Sequence, residues 1–139
     1  CDWSSDVCSS DLTMSVSVPT TLMHVHSRTV DLGVDVSVDQ VSDLFRDTTR
    51  VRMVYNSDGI RSTAEILEYA KDLGRDRGDM PEVCVWKETI GLQNNKLFYL
   101  QAIHQESDVV PENIDAIRAA CKMCSGAESI RKTNLSLGI

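Results

Sequence analysis

The sequence contains no apolar run close to the ~20 residues that a membrane-spanning helix needs. It is also poor in positive charge, with 14 Lys and Arg against 21 Asp and Glu and a net charge of −7. Proteins that bind nucleic acids or anionic membrane surfaces usually present clusters of Lys and Arg. The sequence therefore argues against nucleic-acid and membrane partners.

The motifs of two further protein classes are absent. No Gly-rich turn joins a strand pattern to a helix pattern, so the dinucleotide-binding fingerprint does not occur in this chain. Outside the first 12 residues only Cys84, Cys121 and Cys124 remain, an odd number without the spacing of a disulfide scaffold. The first residues also lack the basic and apolar regions of a secretory signal. A reducing, cytoplasmic location is expected.

Residues 1–12, CDWSSDVCSSDL, show neither helical nor strand periodicity. They resemble a common sequencing-library adapter translated in one reading frame. We therefore interpret 1–12 as an adapter scar that is disordered and has no function, and assign residues 13–139 to the native domain. A disordered acidic N-terminal segment is the alternative interpretation.

What the sequence does contain is an alternation of strand and helix patterns. Extended patterns cover 14–18, 23–36, 50–55, 82–91 and 96–104, the last two joined by an Asn-rich hairpin turn. Capping boxes at Ser37 and Ser62 start two helices, Pro111 is typical of the first residue of a third, and 128–137 forms a last short helix. This order predicts an α+β domain with a mostly antiparallel mixed sheet and helices packed on one face.

Three groups of residues could carry chemistry. His24 and His26 lie on one side of a predicted strand, and with His104, aided by Glu106 or Asp108, they could form a metal site in a small non-catalytic module. Cys121 and Cys124 form a lone CxxC at a helix end, where a simple helix terminus is the favoured interpretation. Cys84 is interpreted as a strand core residue. The polar stretch 104–108 could be a ligand site or a solvated connection.

Four stretches carry a resemblance to a known family: VPTTLMHVHS, DGIRSTAEILEYAKDLGR, LFYLQAIHQESDVVPENIDAIRA and SIRKTNLSLGI. They resemble the archaeal-type (class II) phosphorylating glyceraldehyde-3-phosphate dehydrogenases, and the resemblance extends from residue 13 to residue 139. It implies that 13–139 is the C-terminal part of the catalytic domain, including the C-terminal helix. Only CKMCSGAES departs visibly from the family, which further weakens a function for the CxxC motif.

The resemblance implies a glycolytic and gluconeogenic enzyme. Such an enzyme oxidises glyceraldehyde 3-phosphate with NAD or NADP, through a cysteine thioester that phosphate then cleaves to 1,3-bisphosphoglycerate. The implied partners are this substrate, phosphate, the N-terminal nucleotide-binding domain and the other subunits of a homotetramer. Because the family's Cys-Asn-Thr-Thr nucleophile and Gly-rich cofactor loop do not occur in this chain, the chain alone is expected to be inactive.

Two site residues follow from the resemblance. The catalytic histidine of the family matches His24, which would take the thiol proton and relay protons during hydride loss. The family's cofactor contact matches Gln105, whose amide would hold the nicotinamide carboxamide. No residue is assigned to a metal. The resemblance also implies that the helix over 128–137, without its partner domain, is poorly anchored.

Overall fold

The computed structural model describes residues 23–139, so the strand predicted over 14–18 and the segment 1–12 lie outside the described residues. Five strands and four helices follow in the order βαβαβββαα. The strands are β1 His24–Asp31, β2 Val51–Val54, β3 Val83–Trp86, β4 Gly91–Gln93 and β5 Lys96–Ile103. The helices are α1 Val38–Asp47, α2 Thr63–Asp72, α3 Gln105–Ala120 and α4 Gly126–Leu137.

The strands form one sheet in the order β1-β5-β3-β2, with β4 also paired to β5. Among the strands of residues 23–139, the β2–β3 pair is parallel, and the β1–β5, β3–β5 and β4–β5 pairs are antiparallel. Asn94 and Asn95 form the turn between β4 and β5 with φ of 52° and 59°, a backbone that Asn tolerates well. The predicted α+β class and the mostly antiparallel mixed sheet are confirmed.

Alternating strand residues build an apolar cluster on each face of the sheet. Cys84 and Trp86 of β3 pack with Ile66 and Ala70 of α2. Val83 and Val85, which point to the other face, pack in a second cluster with Val41 and Phe45 of α1. Helices α1 and α2 therefore cover opposite faces, whereas the sequence predicts helices on one face. The difference arises because both faces of β3 are apolar.

Two strands are shorter than the sequence pattern predicts. Strand β1 ends at Asp31, which pairs with Lys96, the first residue of β5. Its partner strand does not extend further because the chain turns at Asn94 and Asn95. The pattern over 82–91 is interrupted at Lys87–Thr89 by a 3₁₀ turn. Thr89 Oγ1 donates to the Trp86 carbonyl at 2.8 Å and accepts from the Leu100 amide at 2.9 Å, so this hydroxyl bridges the interruption.

Helix α3 begins at Gln105, six residues before the predicted start at Pro111. The His104 carbonyl accepts from the amides of Ser107 and Asp108 at 2.9 and 3.0 Å, which closes the first turn. Pro111 is buried inside the helix, where its missing N–H removes a single helical hydrogen bond. The prediction for Pro111 is wrong because the hydrogen bond from the Met80 amide to Ser107 Oγ stabilises an earlier first turn and outweighs the local preference of proline.

A polar junction joins α3, α4 and the residues that precede β2. Asp115 accepts from Ser129 Oγ at 2.5 Å and Thr133 Oγ1 at 2.6 Å, and Arg50 Nη2 donates to its other oxygen at 2.5 Å. Arg50 Nε also donates to Asn134 Oδ1 at 3.0 Å. Burial by itself would raise the pKa of Asp115, but these donors outweigh burial and lower the pKa to about 2. These contacts link helix α4 to α3 and to Arg50, and the poor anchoring expected for the helix without its partner domain stays a prediction.

No helix between residues 23 and 139 is both long enough and apolar enough to cross a membrane.

Candidate functional site

The sheet register brings His24 and the start of α3 together. His24, the first residue of β1, lies directly opposite Ile103, the last residue of β5. Gln105 follows two residues later as the first residue of α3. Both side chains are exposed, and both lie at the same end of the sheet. We call His24, His26, Gln105 and Asp108 the histidine edge.

His26 has a different environment from His24, although both lie on one side of β1. Arg28 Nη2 donates to His26 Nδ1 at 3.2 Å, and Gln101 Nε2 lies 3.3 Å from the same nitrogen. Because a guanidinium can only donate, Nδ1 of His26 is the acceptor and its proton lies on Nε2. Partial burial and the nearby charges of Arg28 and His24 lower the pKa of His26, and Asp108 offsets this in part. His26 is therefore a neutral hydrogen-bonded residue of the sheet.

His104 belongs to the first turn of α3 and not to a metal site. Its Nδ1 lies 2.7 Å from Ser107 Oγ and 3.4 Å from the Met80 amide nitrogen, which donates to Ser107 Oγ at 3.0 Å. Within residues 23–139, which include all three histidines, no three His, Cys, Asp or Glu side chains are arranged to hold a metal ion. The alternative of a metal-binding module built from His24, His26 and His104 is therefore wrong.

Asp108 is the residue of this edge whose position the sequence did not reveal. From the sequence, Asp108 is a candidate only as a metal ligand or as part of a polar connection. In the structure Oδ1 of Asp108 is buried and has no hydrogen-bond partner among the described residues. Burial raises the pKa of Asp108, and nearby backbone amides and the imidazoles of His104 and His24 offset this rise only in part. The polar stretch after β5 was the available signal, but it did not distinguish Asp108 from its neighbours.

The three cysteines of the described chain do not form a nucleophilic site. Cys84 is 0% exposed in the core, and burial raises the pKa of its thiol to about 12, so it is not a thiolate at neutral pH. This confirms its interpretation as a strand core residue. Cys121 and Cys124 are free thiols in the connection between α3 and α4.

A buried carboxylate at the same end of the sheet is fully paired, and we call it the Glu82 clamp. Glu82 is 2% exposed and accepts from Arg52 Nη2 at 2.7 Å and from Arg75 Nη1 and Nη2 at 2.5 and 2.7 Å. Burial alone would raise the pKa of Glu82, but the two guanidinium groups outweigh it and lower the pKa. The clamp borders a cavity of about 520 Å³ that Ser107 and Gly138 also line. A carboxylate held in this way cannot serve as a proton acceptor near neutral pH.

The histidine edge can therefore supply two chemical functions. An exposed imidazole can accept and return a proton, and an exposed carboxamide can bind another amide. The edge itself contains no cysteine. The fold and this edge define an α+β domain that exposes an imidazole and a carboxamide at one end of its sheet.

Comparison with known proteins identifies the family. The family described as "Glyceraldehyde 3-phosphate dehydrogenase, C-terminal domain" matches residues 9–107, and the chain belongs to this family. It is 54% identical to the glyceraldehyde-3-phosphate dehydrogenase of Thermococcus kodakarensis over 127 residues. The corresponding identities are 52% over 127 residues for Pyrococcus abyssi and 51% over 128 residues for Methanothermus fervidus.

Each of these matches covers 91% of the chain but 38% of the relative. The chain thus spans well under half the length of the curated relatives it matches.

Proposed function

We propose that this chain is the C-terminal part of the catalytic domain of an NAD- or NADP-dependent, phosphorylating glyceraldehyde-3-phosphate dehydrogenase. The reaction oxidises glyceraldehyde 3-phosphate through a cysteine thioester, which phosphate converts to 1,3-bisphosphoglycerate. Support comes from the names of relatives that are 51–54% identical over 91% of the chain. Support from the geometry is the placement of His24 and Gln105 at the same end of the sheet.

His24 is the proposed catalytic residue. A thiol nucleophile needs a base that takes its proton and later returns one as the thiohemiacetal is oxidised. His24 is exposed at the end of an edge strand, so its imidazole can reach a group contributed by another part of the enzyme. His26 is less suited to this role, because its Nδ1 is occupied and its pKa is lowered. This contrast between the two histidines is the observation that carries the assignment.

Gln105 is the proposed cofactor contact. Its amide lies exposed on the first turn of α3, where it can donate to and accept from a nicotinamide carboxamide. When bound, the nicotinamide supplies the hydride acceptor for aldehyde oxidation. The first turn is fixed by Ser107 and Met80, so the amide extends from a rigid base.

The remaining parts of the proposed enzyme lie outside this chain. The nucleophile and the nucleotide-binding domain are not encoded in it, so we propose that the chain alone does not turn over substrate. The proposed partners are glyceraldehyde 3-phosphate, phosphate, the N-terminal nucleotide-binding domain and other subunits of a cytoplasmic homotetramer.

The test compares the two histidines in an enzyme completed with the missing N-terminal portion of a relative. His24→Asn should lower the rate of single-turnover aldehyde oxidation by about 100- to 10,000-fold, because an amide cannot take the thiol proton. Cofactor affinity should change little. His26→Asn is the matched control on the same strand and should retain most of the rate. A strongly reduced rate for His26→Asn together with a nearly normal rate for His24→Asn would refute the assignment. Turnover by the 139-residue chain alone would refute the proposal that it needs the N-terminal portion.

A further inference from the structure

One oxygen of the Asp108 carboxylate lacks a hydrogen-bond partner among the described residues. This oxygen, Oδ1, is buried. A buried acceptor without a donor destabilises a fold, so such atoms are rare and usually have a specific reason. The buried carboxylates of the Glu82 clamp and the polar junction have their donors in place. Asp108 differs from both in having a buried oxygen without a donor.

The contacts of α3 show which way Asp108 points. Asp108, Glu112 and Asp115 are spaced by four and three residues, which places them on one face of the helix. Glu112 and Asp115 both bind Arg50, the residue before β2. This face of α3 is therefore turned toward the end of the sheet. His24 lies at the same end, opposite Ile103, from which the chain passes into the first turn of α3.

The charged groups around Asp108 come from two elements. Strand β1 contributes His24 and His26, and the N-terminal end of α3 contributes His104, whose Nδ1 lies 3.8 Å from Asp79 Oδ1. His26 Nδ1 is occupied by Arg28 and Gln101, and His104 Nδ1 is occupied by Ser107. Of the three imidazoles, His24 is the one that is exposed. Electrostatic coupling of Asp108 to both His24 and His26 is consistent with this arrangement.

We propose that Asp108 is a positioning residue for His24. Its carboxylate accepts a hydrogen bond from one ring nitrogen of His24, which fixes the tautomer and leaves the other nitrogen free to take the thiol proton. The pairing completes the donor set of Asp108 when the exposed His24 side chain turns toward α3. This inference rests on the proposed catalytic role of His24, but the hydrogen bond itself can be measured without activity.

The first measurement is the tautomer ratio of His24 in the full 139-residue chain, read from ring ¹⁵N chemical shifts above the titration range of the imidazole. One tautomer should dominate in the unmodified chain. In Asp108→Ala the ratio should fall about tenfold or more, toward that of a free histidine side chain. The reason is that a hydrogen bond to a charged group changes an equilibrium constant by about tenfold or more. The His26 ratio should stay unchanged, because Arg28 and Gln101 fix it. An unchanged His24 ratio in Asp108→Ala would overturn the proposal.

The matched control is Glu106→Ala, which removes one carboxylate from the same turn on the side that lines the cavity at the Glu82 clamp. This variant should leave the His24 ratio as it is. If it changed the ratio as much as Asp108→Ala does, general charge loss would be the cause and the proposal would fail. A dispersed amide spectrum verifies folding, and Asp108→Leu, which also lacks an acceptor but fills the space, replaces Asp108→Ala if that variant unfolds.

The second measurement separates this inference from the proposed function. In the completed enzyme, Asp108→Ala should lower kcat more than tenfold at constant KM for the cofactor, and it should add no further loss to His24→Asn. An equal loss in both backgrounds would show that Asp108 acts independently of His24 and would overturn the proposal. A normal rate for His24→Asn alone would refute the proposed function, whereas the tautomer ratio would still decide whether the hydrogen bond exists.

Discussion

The polar junction around Asp115 and the histidine edge contain similar side chains but differ in whether these side chains are paired within the chain. At the junction, Asp115 receives hydrogen bonds from Ser129, Thr133 and Arg50, so every charge is matched within the chain. At the edge, His24 and Gln105 are exposed and Asp108 has a buried oxygen without a donor. The polar groups that hold this fold together are therefore paired within the described chain, whereas those proposed for chemistry are not.

The largest effect on stability is expected at the Glu82 clamp. Like Asp115 in the junction, Glu82 has all its donors within the chain. Glu82→Gln should lower the free energy of unfolding by about 3–5 kcal/mol, because Arg52 and Arg75 are left without their counter-charge. Urea denaturation followed by circular dichroism measures this loss.

Glu68→Gln serves as the control for the clamp. Glu68 pairs with Lys71, and the two side chains are 67% and 49% exposed. A surface pair of this kind is worth about 0–1 kcal/mol. Equal losses in the two variants would show that the clamp is no more important than a surface ion pair.

A smaller but pH-dependent effect is expected for Asp115 in the junction. Asp115→Asn should cost about 2 kcal/mol near neutral pH, through weaker hydrogen bonds to Arg50, Ser129 and Thr133. The folded-state pKa of about 2 lies below the ordinary aspartate value. The stabilisation is therefore fully present above about pH 4 and is lost as the pH falls through about 2.

Denaturation curves of the chain and of Asp115→Asn between pH 7 and pH 2 test this sign. The two stabilities should converge toward the acid end. Glu112→Gln is the matched control, since Glu112 also binds Arg50 but its side chain is 69% exposed. A difference between the chain and Asp115→Asn that stays constant over the whole range would contradict the linkage.

The smallest effect is expected at the histidine edge. His24→Asn and Gln105→Ala should each change the free energy of unfolding by no more than about 0.5 kcal/mol, because both side chains are exposed. The same urea denaturation provides the measurement. A loss of more than 2 kcal/mol for either variant would place that residue with the structural groups and remove the contrast between the two regions.

Much of the fold was predictable because local patterns agree with tertiary packing. The capping box at Ser37, with its bonds to and from Gln40 of 3.1 and 2.8 Å, fixes the start of α1. The Asn94-Asn95 turn fixes the hairpin between β4 and β5. The start of α3 was not predictable, because Met80 and Ser107, distant in sequence, stabilise a turn that Pro111 alone would place later.

For the candidate site, the sequence supplied His24 and Gln105 through the resemblance to a family, and their roles remain predictions. It could not separate His24 from His26 on physical grounds, because both occupy the same side of a strand. The structure separates them, since Arg28 and Gln101 occupy Nδ1 of His26.

The sequence by itself determined the α+β class, the hairpin, the helix starts at Ser37 and Ser62 and the family, because each depends on short-range patterns or on direct similarity. The tertiary structure decided which helix covers which face of the sheet and which carboxylates have donors. It also revealed the unpaired oxygen of Asp108. These features depend on where α3 crosses the end of the sheet, and that crossing is fixed by contacts between residues far apart in the chain, such as Arg50 with Asp115 and Met80 with Ser107.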